Sequence, residues 1–285
     1  MKSIGKKTIR TVVVRTFVSL TVVISIPIVI LTSCQSKLIY FPRPYGADVT
    51  AKWSAETHGK PIEFKTSQGQ QRAFLQGDLK SPRNLWIVCG GNGTVALDWS
   101  EWLRKHAPAQ DAFLLVDFPG YGDCEGYPNP ERIRESLRAA VPLATKAVGW
   151  SDPNPSRLRF FGHSLGAAAS LICATEFKIQ RGVLLAPFTS TMDMAHVVTG
   201  LPVGFLVTHR FDNEARLAEL AARGSGEVII IHGSDDESIP VTMGSKLADQ
   251  QKDMVHFIEI PGARHNTIQD QNAGILSDAL QQIGH

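Results

Sequence analysis

A chain of 285 residues with 43% hydrophobic and 20% charged residues has room for one large α/β domain or two small ones, and its balance excludes a disordered chain. The formal charge of +2 is unevenly placed: Lys2, Lys6, Lys7, Arg10 and Arg15 precede any acid, and without these five the remainder carries −3. No basic stripe is left that would bind nucleic acid.

In chain order, the first element is an apolar run, "TFVSLTVVISIPIVIL", directly after Arg15 and ahead of Thr32-Ser33-Cys34. A basic start, an apolar stretch and small residues before a cut site describe an export signal. The ending Leu31-Thr32-Ser33-Cys34 resembles the lipobox of bacterial lipoproteins. That resemblance implies cleavage before Cys34 and a diacylglyceryl group on its thiol. An uncleaved signal anchor is the alternative, although the run is short of the roughly 20 apolar residues of a membrane span and contains Pro27. Either reading assigns residues 1–33 to a signal or anchor and residues 34–285 to one domain in the cell envelope, attached to a membrane and outside the cytoplasm.

Beyond it, "KPIEFKT" and "QRAFLQGD" flank Ser67-Gln68-Gly69 and predict a hairpin. Continuous apolar runs ending in glycine or polar residues follow at 84–91, 111–120, "SRLRFFGHS", "RGVLLAPF", "EVIIIHG" and "VHFIEIPG", as buried parallel strands require. Helical segments are expected at 99–105, 131–148, 165–177, 240–250 and 267–283. Strands alternating with helices predict a mostly parallel sheet with helices on both faces, the hairpin adding an antiparallel edge. Residues 189–223 are the one insertion large enough for a small cap. Its "MAHVVTGLPVGFLVTHRF" is apolar enough to line an acyl pocket or to be a core helix.

Chemistry-bearing residues gather where these strands end, the place where such sheets bind ligands. "RLRFFGHSLGAAASLICA" holds Gly162-His163-Ser164-Leu165-Gly166, a G-x-S-x-G between strand and helix. Glycines there remove side chains that would clash in a sharp turn, leaving the serine hydroxyl exposed at the top of the sheet. His163 is expected to point away from the serine. A serine needs a base, and the base an orienting carboxylate. "HGSDDESIP" supplies Asp235, Asp236 and Glu237, and "PGARHNTI" supplies His265, giving the order Ser, Asp, His. His232 is expected to shape its turn, and Asp117 and Asp123 to fix loops. Of Cys89, Cys124 and Cys173, the first and last read as small buried hydrophobes, while Cys124 sits in a glycine-rich loop from which pairing with Cys89 is conceivable. The cysteine and histidine spacings imply no metal.

From "LIYFPRPYG" through "DFPGYGDCEG" to "IIIHGSDDESIP", the chain resembles the membrane-tethered serine hydrolases of the α/β-hydrolase superfamily. That group includes bacterial esterase-like lipoproteins and eukaryotic protein depalmitoylases. The resemblance implies an α/β-hydrolase fold, Ser164 as nucleophile, His265 as base and an acid after "HGS" as orienter, with Asp236 favoured over Asp235. It implies an oxyanion hole from the backbone N–H groups of Leu165 and Asn92, although Gly90 stands where the family often has histidine. It implies no cofactor and an acyl ester or thioester substrate. A catalytically silent binding lipoprotein and a serine peptidase or amidase are the competing functions.

Overall fold

The structure is a computed structural model describing residues 35–285 together with Thr11, Arg15, Thr16 and Ser19. Cys34 and the signal or anchor assigned to residues 1–33 otherwise lie outside the described residues.

Eight strands form one sheet: β1 (Lys60–Thr66), β2 (Gly69–Gly77), β3 (Leu85–Cys89), β4 (Ala112–Val116), β5 (Leu158–His163), β6 (Arg181–Leu185), β7 (Glu227–Gly233) and β8 (Val255–Ile260). Their spatial order is β1-β2-β4-β3-β5-β6-β7-β8. The predicted hairpin pairs β1 with β2, and β2 meets β4 antiparallel, while every pairing from β4 to β8 is parallel. Strands β3, β4 and β5 are buried at every residue, which is why their sequences are unbroken apolar runs.

Two apolar clusters cover the faces of the sheet. One joins it to helices Pro130–Ala147, Leu165–Phe177, Asn213–Ala221 and Val241–Gln250. The other joins it to Val49–Thr57, Ser100–His106 and Ala273–Gly284 through Trp53, Trp102 and Leu280. Pro130–Ala147 starts as its sequence dictates: the Asn129 side chain accepts from the Arg132 N–H at 2.8 Å and Pro130 takes the first turn. Leu165–Phe177 is rich in alanine because it lies flat on the sheet, with every residue from 165 to 174 buried.

Three expectations change. Residues 267–283 form two helices, Ile268–Gln271 and Ala273–Gly284, broken at Asn272. The unpredicted helix Val49–Thr57 buries only Trp53, so it carries no amphipathic signal. In the insertion 189–223, helix Thr191–Thr199 buries only Thr191, which excludes a core helix. The insertion is closed at its base by paired Ser190 and Asp212 and by the Thr191 N–H donating to Phe211 O at 3.0 Å. Cys89, Cys124 and Cys173 are free and buried, and Cys124 spends its thiol on the backbone of Arg72 rather than on solvent.

Candidate active site

Strand order reverses between β3 and β5, since β4 lies on one side of β3 and β5 on the other. A reversal leaves a crevice at the carboxyl ends of the two strands. The loop after β3 and the turn after β5 both open into it.

The turn after β5 is sharp. Ser164 has φ 56° and ψ −120°, a conformation that L-residues rarely adopt. Its N–H donates to Leu185 O at 2.9 Å and its carbonyl accepts from Ala167 N–H at 3.0 Å, so strand and helix hold it from both sides. Both motif glycines are steric necessities: a Cβ on Gly162 would lie 2.3 Å from Gly166 O, and one on Gly166 would lie 2.0 Å from Cys89 O. Close approach of the helix to β3 thus sets the turn, and the turn presents the serine.

Ser164 is buried rather than exposed as expected, because His265 covers its hydroxyl: His265, itself buried, has Nε2 3.0 Å from Ser164 Oγ. On the other side of the ring, His265 Nδ1 lies 2.7 Å from Asp236 Oδ2. Because a carboxylate only accepts, this contact puts the proton on Nδ1 and leaves Nε2 free to accept from the serine hydroxyl. Asp235 is exposed and takes a hydrogen bond from Ser234 Oγ at 2.9 Å, and Glu237 Oε2 accepts from the His265 backbone N–H at 3.3 Å. Of the three acids left open by the spacing, Asp236 is therefore the one against the imidazole.

Asp236 is held by more than His265. Its Oδ1 accepts from the N–H groups of Ser238 at 2.9 Å and Ile239 at 2.7 Å. His232 Nε2 lies 3.2 Å from its Oδ2 and 3.0 Å from Ile239 O, and two acceptors on one nitrogen place the ring proton there. Burial acts to raise the Asp236 pKa, but hydrogen bonds from His232, His265 and the Ile239 N–H overcome it and hold the carboxyl far below the usual range. The expectation that His232 merely shapes its turn misses this contact. Its position four residues before Asp236 is the only sequence signal for it.

His163 packs against the base of the site: its ring lies 5.0 Å from that of His265, and a Cβ on Gly91 would sit 3.0 Å from its Nδ1. Burial, aided by the neighbouring His265, lowers its pKa to about 3, so it packs there as a neutral ring.

The loop after β3 runs beside the serine, with the Cβ position of Gly91 3.5 Å from Ser164 Cβ. Among the described residues, neither the Leu165 nor the Asn92 backbone N–H has an intramolecular partner. Asn92 is fixed by its side chain: Oδ1 accepts from Tyr121 OH at 2.8 Å and from Phe41 N–H at 2.9 Å, while Nδ2 donates to Ile39 O at 2.5 Å. Asp117 and Asp123 fix loops as expected. Asp117 accepts from Tyr45 OH at 2.7 Å and Ala96 N–H at 2.8 Å, and Asp123 pairs with Arg72. Desolvation raises the Asp117 carboxyl to about 7.

No family model matches the chain. An uncharacterized protein of Mycobacterium tuberculosis is 27% identical over 260 residues, covering 90% of this chain and 89% of its own. Alpha/beta hydrolase domain-containing protein 17B of Xenopus laevis is 27% identical over 154 residues, 54% of this chain and 50% of that protein. Among solved structures, an esterase of Pyrococcus furiosus superposes with a TM-score of 0.64 at 16% identity, over 86% of this chain and 96% of that one. Together with the strand order and the turn at Ser164, this likeness establishes that the chain has the α/β-hydrolase fold.

Proposed function

We propose that the protein is a serine hydrolase that cleaves carboxylic esters or thioesters through an acyl-enzyme on Ser164. The observation that carries this reading is the unbroken chain Asp236 Oδ2, His265 Nδ1, His265 Nε2, Ser164 Oγ, with separations of 2.7 and 3.0 Å. Ser164 Oγ attacks the substrate carbonyl carbon as His265 Nε2 takes its proton, and Asp236 stabilises the imidazolium that forms. The carbonyl oxygen, now negative, accepts from the Leu165 and Asn92 N–H groups, each such donor contributing roughly 2.7–4 kcal/mol. His265 returns its proton to the departing alcohol or thiol. Water, deprotonated by the same imidazole, then releases the acid and restores Ser164. Esters and thioesters are assigned because their leaving groups need little help. The esterase among the structural neighbours supports the same chemistry. The strained backbone at Ser164 argues against a catalytically silent binding protein, because such strain persists where a site uses it.

The same proposal attaches the protein to a membrane of the cell envelope through its N-terminus, by acyl chains on Cys34 or by the apolar run itself, with the domain outside the cytoplasm. Cys34→Ser is then expected to block acylation and leave the precursor uncleaved. An intact Met1 without lipid in the wild-type mass would replace lipidation with a signal anchor. For the chemistry, a fluorophosphonate probe is expected to label the wild-type protein and not Ser164→Ala. Labelling that persists in the variant would exclude Ser164 as the nucleophile.

A further inference from the structure

Seven of the eleven large apolar side chains exposed among the described residues fall in two short stretches, 35–41 and 192–205. Leu38, Phe41, Val198, Leu201 and Phe205 are between 58% and 77% exposed. A contiguous apolar patch on a soluble surface marks something that covers it.

The two stretches are neighbours in space. Gln35 is buried, and its side chain ties the first stretch to the residues directly after the second: Nε2 donates to Leu206 O at 2.5 Å, and Oε1 accepts from Thr208 N–H at 2.7 Å and Thr208 Oγ1 at 2.8 Å. Tyr40 adds a ring contact to His209 at 5.6 Å. Phe41 then passes its N–H to Asn92 in the loop beside Ser164. The stretch 35–41 therefore runs from the cap to the rim of the site.

Three observations name the occupant. The apolar run of the sequence ends at Leu31 and Cys34 directly precedes Gln35, so either proposed attachment tethers the chain within a few residues of this face. Its cations meet no acid among the described residues: Lys37 and Arg210 are exposed, Arg210 donates only to the carbonyls of Val207 and Phe205, and residues 35–45 contain no acid. Asp193, the acid of the cap helix, is turned inward to Thr189 Oγ1 at 2.6 Å. Apolar side chains flanked by cations are the composition of a surface that lies in the headgroup region of a bilayer.

We infer that the stretch 35–41 and the cap residues 192–205 form a lipid-docking face. It seats the mouth of the Ser164 site on an anionic bilayer, so that acyl substrates enter from the membrane. This rests on the proposed membrane attachment of the N-terminus and is independent of the chemistry at Ser164.

The test uses the full-length protein carrying Phe205→Trp, reconstituted into vesicles of phosphatidylcholine and phosphatidylglycerol. Vesicle flotation reads attachment, and emission in excess of the wild type reads the face. The expected result is co-flotation, with the added emission blue-shifted and largely lost when the lipids carry brominated acyl chains. Co-flotation with a red, unquenched added emission would overturn the docking face and leave attachment standing. A blue shift that grows with protein concentration and ignores bromine would put a second copy on the face instead. Absence of flotation would remove attachment and the face together. None of these outcomes depends on hydrolysis, so they stay distinct from failure of the hydrolase reading.

Discussion

Replacing Ser164 by alanine or by glycine removes the same hydroxyl, yet the two variants are predicted to differ in stability. With φ at 56° and ψ at −120°, Ser164 occupies backbone space that any residue with a Cβ enters at a cost of about 1–3 kcal/mol. Alanine keeps that strain. Glycine releases it but gives back about 0.5–1 kcal/mol through the greater freedom of its unfolded chain. Loss of the contact to His265 Nε2 is common to both and cancels in the comparison. Ser164→Gly is therefore expected to exceed Ser164→Ala by roughly 1 kcal/mol, the difference between strain released and entropy lost. For a domain of this size that corresponds to about 2–4 °C in Tm. Thermal unfolding of both variants in one buffer measures it, with ester hydrolysis abolished in each. If Ser164→Ala melts at or above Ser164→Gly, the turn stores no strain and the account of its glycines fails.

Asp236→Asn is expected to lower turnover about 10⁴-fold by leaving His265 in the wrong tautomer, whereas exposed Asp235→Asn keeps most of its activity; comparable losses would reassign the acid. His232→Phe keeps a buried ring but removes one donor from Asp236, so turnover should fall about tenfold, the scale of one charge-assisted hydrogen bond; unchanged turnover would reduce the contact to packing. Asp117 supplies a pH test. Its carboxyl is raised in the folded state to about 7, so the folded protein holds that proton more tightly, and this contribution is lost as pH rises from about 4 through 7. Asp117→Asn lacks the loss, so chemical denaturation should show the variant gaining on the wild type between pH 5 and pH 8; a constant difference would contradict the raised pKa.

Much of this site can be read in the residues, because strands buried on both faces leave unbroken apolar runs and the chemistry lies where those runs stop. The turn at Ser164 and the order Ser, Asp, His are legible for that reason. Choosing among Asp235, Asp236 and Glu237 is different. Neighbouring acids in a tight turn point in different directions, and only the turn geometry sends Asp236 to His265. The second contact of Asp236, from His232, depends on the same turn. The ring that His163 meets is not legible, because burial on a crowded strand end says nothing about its neighbour. The apolar composition of the insertion 189–223 is legible, but not its direction: Val198 and Phe205 face outward, whereas Phe211 within it and Phe188 just before it are buried. The helix Val49–Thr57 leaves no sequence signal, because one buried Trp53 makes no periodicity.

The central claim, that Ser164 carries the acyl group between two half-reactions, is tested most directly by rapid mixing with a p-nitrophenyl ester followed by acid quench and peptide mass mapping. The account predicts a burst of p-nitrophenolate approaching one equivalent per protein and an acyl group on the peptide containing Ser164. Hydrolysis with no burst and no adduct, or an acyl group on another residue, would contradict it.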